Sequence, residues 1–140
     1  MSEAASVDWD LLRAKATEAM RRAYAPYSSS PVGVAGLVDD GRIVSGCNVE
    51  NAAYGVTWCA ECGMVCALHL NGGGRLVAVS CVSRGGESLM PCGPCRPLLW
   101  ENGGPDCQVM TAAGVRTMAD LLPDAFSSAD LDHVTPPSQS

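Results

Sequence analysis

Apolar side chains recur at three- and four-residue spacing at Trp9, Leu12, Ala16, Ala19, Met20 and Ala23, a pattern that predicts an amphipathic helix ending near residue 23. Asp8 or Ser6 can supply its capping oxygen, residues 1–6 read as frayed, and Arg13, Lys15, Arg21 and Arg22 fall mostly on the watered side. The period is then lost. Residues 24–31, Tyr-Ala-Pro-Tyr-Ser-Ser-Ser-Pro, contain two prolines and a serine run, so they read as a loop with two aromatic side chains. Residues 32–38 and 42–49 are rich in Val and Ile, and Asp39-Asp40-Gly41 between them is turn chemistry, which predicts an antiparallel hairpin. Residues 50–55, polar with one tyrosine, follow as a binding loop or a plain connector.

Residues 59–70 have helical composition and meet a stop at Asn71-Gly72-Gly73-Gly74. Residues 75–83 are an almost continuous apolar run, the mark of a strand covered on both faces. After a loop at 84–88, Pro94 suits the first turn of a helix to about 101, ended by Asn102-Gly103-Gly104-Pro105. A strand at 107–111, a short capped helix at 117–122 and a polar tail at 127–140 complete the chain, and no internal repeat is visible. The order α-β-β-α-β-α-β-α predicts one mixed sheet, partly parallel, covered on both faces: a three-layer α/β/α sandwich. Residues 1–126 are expected to form a single domain.

Composition adds limits. The 140 residues are enough for one domain, and 47% hydrophobic but only 5% aromatic content implies a core of Ala, Val and Leu. A net charge of −6 with nine Lys and Arg argues against a nucleic-acid partner and for a small uncharged ligand. No leader pattern or membrane span is visible, which makes the cytoplasm the expected compartment, and there eight cysteines read as thiols or ligands rather than disulfides. Cys47, Cys66, Cys81 and Cys107 lie among small or apolar neighbours and are expected in the core.

Cys59, Cys92 and Cys95 differ from these. Catalytic zinc takes three protein ligands and keeps a fourth position open, and three cysteines at two helix starts, where the helix dipole favours thiolate, supply that number. Glu61 lies two residues beyond Cys59, placed as a proton shuttle. Three thiolates leave a divalent ion with net negative charge, and Arg96 is the nearest cation in sequence. Two other readings stay open. Cys59-Ala60-Glu61-Cys62 with Cys92-Gly93-Pro94-Cys95 is formally a pair of C-x-x-C units that could hold a structural zinc in an interaction module, although Cys62 could equally be buried in the core. Cys92-Gly93-Pro94-Cys95 alone superficially matches a redox motif.

Tyr24-Ala25-Pro26-Tyr27-Ser28, Gly46-Cys47-Asn48-Val49-Glu50-Asn51-Ala52-Ala53-Tyr54-Gly55, Cys59-Ala60-Glu61 and Pro91-Cys92-Gly93-Pro94-Cys95-Arg96 together resemble a homotetrameric-type cytidine deaminase over about residues 7–126. The resemblance implies that Zn2+ held by Cys59, Cys92 and Cys95 activates water for attack on carbon 4 of cytosine, while Glu61 moves the protons. Cytidine or deoxycytidine would yield uridine or deoxyuridine and ammonia, a pyrimidine-salvage reaction. It further implies that Asn48 and Glu50 bind ribose hydroxyls, that the Ala60 backbone meets the base, and that Phe126 stacks on the base in a neighbouring subunit of a homotetramer. Tyr27 and Tyr54 would lie near subunit contacts. Three positions depart from the family pattern: Ser30 replaces a pocket phenylalanine, Pro97 a glutamine, and Cys62 an arginine that helps neutralise the thiolates. A modified cytosine nucleoside is therefore the alternative substrate. Trp58 and Trp100 add bulk nearby, with core packing the expected role of each, and His69 and His133 fit no part of the metal site.

Overall fold

A computed structural model describes residues 6–131; residues 1–5, and 132–140 with His133 and most of the expected tail, lie outside the described residues. The elements are α1 (Trp9–Met20), β1 (Gly33–Val38), β2 (Ile43–Cys47), α2 (Ala60–Leu70), β3 (Leu76–Val82), α3 (Cys95–Gly103), β4 (Gln108–Thr111), β5 (Gly114–Thr117) and α4 (Met118–Leu121). Asp8, not Ser6, caps α1, its carboxylate accepting from the Leu11 N–H at 3.0 Å. The helix stops at Met20 rather than residue 23, and shortly beyond, the Tyr24 N–H turns aside to the Asn48 carbonyl. Ser128–Leu131 forms one 3-10 turn where a plain tail is expected.

The strands form one mixed sheet in the order β2-β1-β3-β4-β5. β1 pairs antiparallel with both β2 and β3, β3 is parallel to β4, and β4 is antiparallel to β5. Only α3 therefore joins adjacent parallel strands, because β1 lies between the strands that α2 connects. β5 is a strand that the hydrophobic pattern does not predict.

Two apolar layers cover the sheet. On one face Leu12, Ala16 and Met20 of α1 meet Ala35, Ala78 and Val82. On the other, Met64, Leu68 and Leu99 from α2 and α3 pack over Val34, Val44, Leu76, Val79 and Val109. Each fully buried Leu or Val is worth about 1.5–3 kcal/mol of transfer energy. Both layers rely on a glycine. A Cβ on Gly33 would lie 2.0 Å from the Ala16 carbonyl oxygen, and one on Gly46 would lie 2.4 Å from that of Ala60. Gly46 thus lets the start of α2 rest directly on β2.

Cys81 and Cys107 are buried as expected, but Cys47 is half-buried and Cys66 is exposed. The buried residues of α2 are Ala60, Glu61, Met64, Val65 and Leu68, which puts Cys66 on the outer side of the helix.

Candidate metal centre

Cys59 occupies the N-cap position of α2 with extended backbone, and no side chain caps the helix. Its predecessor is fixed by two backbone hydrogen bonds, Val49 N–H to the Trp58 carbonyl at 3.0 Å and Trp58 N–H to the Val49 carbonyl at 2.9 Å. The second arm leaves the end of β3, where the Leu89 N–H donates to the Cys81 carbonyl at 2.9 Å. It then turns into α3 as the Cys92 carbonyl accepts from Cys95 and Arg96 N–H groups at 3.1 and 3.2 Å. Arg96 donates from Nε to the Pro91 carbonyl at 3.1 Å and from Nη1 to the Leu121 carbonyl at 2.9 Å, so its guanidinium ties the ligand loop to α4.

The ligand atoms of Cys59, Cys92 and Cys95 all lie within 4.8 Å of one another. Cys59 Sγ is 3.6 Å from Cys92 Sγ, which is 3.2 Å from Cys95 Sγ, and all three are free thiols. Tetrahedral zinc with Zn–S bonds of ~2.3 Å sets its sulfurs ~3.8 Å apart, so the trio fits that ion with little adjustment. Cys62 is outside the cluster, leaving no closed four-sulfur set among the described residues. Without a cation, burial above all pushes the Cys59 thiol up to about 11 and Cys95 further, and the Cys92 sulfur and the Glu61 carboxylate add to both. A divalent ion reverses that pressure and makes thiolate the stable form.

Glu61 is only 4% exposed, unusual for a carboxylate, and its Oε2 lies 3.6 Å from Cys81 Sγ. With Asn48, Cys59, Ala60 and Cys92 it lines a cavity of about 130 Å³, which Val32, Leu89 and Met90 close. Asn48 is locked in place: its Oδ1 accepts from the Val32 N–H at 2.9 Å and its Nδ2 donates to the Ser30 carbonyl at 3.0 Å. Glu50 lines a separate cavity of about 310 Å³ with Tyr27, Ser28, Asn51, Tyr54 and Thr57. Its carboxylate accepts from the Tyr27 and Ser28 N–H groups at 2.9 and 3.1 Å and from the Ser28 hydroxyl. The Ser28 hydroxyl above all holds Glu50 below the usual carboxylate range.

The cluster thus unites the three cysteines, Glu61, Ala60 and Asn48, and leaves Glu50 in the neighbouring cavity. Phe126 is 70% exposed, Trp58 and Ser30 are exposed too, and Trp100 packs against the core. His69 bonds Asn102 at 2.8 Å, between α2 and α3. Val32, Leu89, Met90 and Cys81 are the site's unforeseen neighbours; the strand signal at 75–83 placed Cys81 in the core but not beside Glu61.

Residues 8–111 match the family model for the cytidine and deoxycytidylate deaminase zinc-binding region. Over 125 residues the chain is 57% identical to a cytidine deaminase of Mycobacterium tuberculosis, an alignment covering 89% of this chain and 94% of the relative. The crystal structure of cytidine deaminase from Mycobacterium leprae superposes with a TM-score of 0.84 at 60% identity, covering 85% of this chain and all of that one (100%). That of the Mycobacterium tuberculosis enzyme superposes at 0.85 with 56% identity, covering 87% and 99%.

Proposed function

We propose, from the premise that the chain belongs to the cytidine and deoxycytidylate deaminase family, that it converts cytidine and water to uridine and ammonia. The observation that carries this reading is the buried Glu61 carboxylate lining one cavity with two of three clustered cysteines. Cys59, Cys92 and Cys95 would hold zinc, which when bound supplies the Lewis acidity that makes water nucleophilic near neutral pH.

The chain's own groups do the rest. Glu61 accepts a proton from the attacking water, passes it to ring nitrogen 3, and delivers the second to the departing amine at carbon 4. Its burial excludes competing water. Ala60, at the first turn of α2, presents backbone to the base, and Asn48, immobilised by two loop hydrogen bonds, faces a ribose hydroxyl. Glu50 orders the Tyr27-Ser28 turn and offers its carboxylate as a second sugar contact. Arg96 holds the ligand loop by its two carbonyl contacts rather than by touching sulfur.

The working enzyme is proposed as a homotetramer. Tyr27, Tyr54, Val56, Trp58 and Phe126 are all exposed on the single chain, Tyr54 by 77%, and a second copy would bury them while bringing its Phe126 to the base. Residues 1–126 act as one domain with 127–140 as tail, and a cytoplasmic pyrimidine-salvage role without nucleic-acid partners accords with the acidic charge. Among the described residues no helix is long and apolar enough to cross a membrane. Deoxycytidine is the second substrate, and exposed Ser30 leaves room for modified cytosine nucleosides.

An absorbance assay over cytidine, deoxycytidine and ring-substituted analogues, with free cytosine and adenosine as controls, tests the reading. Turnover of cytidine but not adenosine is expected; a zinc-loaded protein that turns over no cytosine nucleoside contradicts it.

A further inference from the structure

The deaminase reading assigns Cys81 no task, yet among the described residues its thiol is the one hydrogen-bond partner of the Glu61 carboxylate, at 3.6 Å from Oε2. Both side chains are shielded from water, at 1% and 4% exposure. Cys81 is held from two sides: it pairs with Val34 of β1, and its carbonyl accepts from Leu89, a wall of the small cavity. A glutamate's terminal torsion is broad, so a carboxylate gripped at neither oxygen samples many orientations. Here a rigid strand supplies one donor to one oxygen and leaves the other free to face the cavity.

We propose that Cys81 is a positioning residue for the deamination, its S–H donating to Glu61 Oε2 and fixing the orientation in which the carboxylate transfers protons. The inference rests on Glu61 as the shuttle. Burial, and then the negative charge of Glu61, push the Cys81 thiol well above its ordinary range, so the S–H form faces the carboxylate. Its sulfur lies outside the three-cysteine metal cluster. Thiols are weak donors, so a modest kinetic effect is expected.

Cys81→Ala and Cys81→Ser test this on the full-length zinc enzyme. Both perturb a packed strand and lower Tm. Cys81→Ala should also lower kcat about fivefold, a barrier higher by ~1 kcal/mol, with KM and zinc content unchanged. Cys81→Ser, which restores an O–H donor, should recover most of that loss. A purely structural cysteine gives the opposite pattern, with kcat unchanged in both variants or falling in step with Tm. Infrared difference spectra of wild type against Cys81→Ser provide a readout that does not depend on the alanine variant folding. The Cys81 S–H stretch should lie below the free-thiol position and rise in Glu61→Gln; a band at the free-thiol position overturns the proposal. Ordinary turnover by Glu61→Gln would instead remove the shuttle reading, and this inference with it.

Discussion

The two faces of the sheet are built alike and used differently. Each is covered by helix, and each depends on a glycine where helix backbone meets strand, Gly33 under α1 and Gly46 under α2. The α1 face is apolar apart from the buried Ser80, with Leu12, Ala16 and Met20 against Ala35, Ala78 and Val82. The opposite face accepts a buried glutamate and a buried ligand cysteine at two helix starts. The α1 face thus contributes stability and no chemistry, while the opposite face holds both the larger apolar cluster and the site. The face with chemistry carries desolvated thiols and a carboxylate, groups that oppose burial until a cation joins them.

The sharpest break in that comparison is Cys95→Ala. Removing one ligand should abolish zinc retention and all measurable turnover, read by metal analysis beside the assay. Leu12→Ala should do the reverse, costing about 2–5 kcal/mol in denaturant unfolding while the folded fraction keeps its kcat. Gly46→Ala bridges the two classes. Its methyl meets the Ala60 carbonyl oxygen and the Met64 amide nitrogen, both at 2.4 Å, and backbone cannot swing aside. A cost of about 1–3 kcal/mol should come with a fall in kcat, because the displaced segment carries Cys59 and Glu61.

How far the sequence foretells each face follows from the same division. Helix and strand periodicity reads out apolar burial, so α1, the hairpin, β3 and the start of α2 were legible. The motif spacing likewise pointed to the three-cysteine cluster. β5 was not, because Gly114-Val115-Arg116-Thr117 is a four-residue edge strand with one aliphatic side chain. Cys66 was expected inside by composition, but the helical phase set by Met64, Val65 and Leu68 turns it outward. The Cys81–Glu61 contact spans 20 positions and two elements, and no local pattern encodes it. Nor does a local pattern separate Asn48 from Glu50, two residues apart in neighbouring cavities.

Smaller effects refine the contrast. Asp8→Ala should cost about 1 kcal/mol through the lost α1 cap, without changing KM. For Glu50 the sign is set by its lowered folded-state value: its stabilisation is present above the ordinary 4.5 and is lost as pH falls through the lowered value. Acid titration of tyrosine fluorescence should therefore show a loosening of the Tyr27 turn below about 4.5 that Glu50→Gln lacks.

The central claim, that a buried carboxylate moves protons beside a metal it does not hold, is tested most directly by Glu61→Gln. The expected variant is a folded protein with one zinc per chain and cytidine turnover reduced by about 10²–10⁴-fold. Zinc retained with ordinary turnover, or zinc lost with the carboxylate, would contradict it.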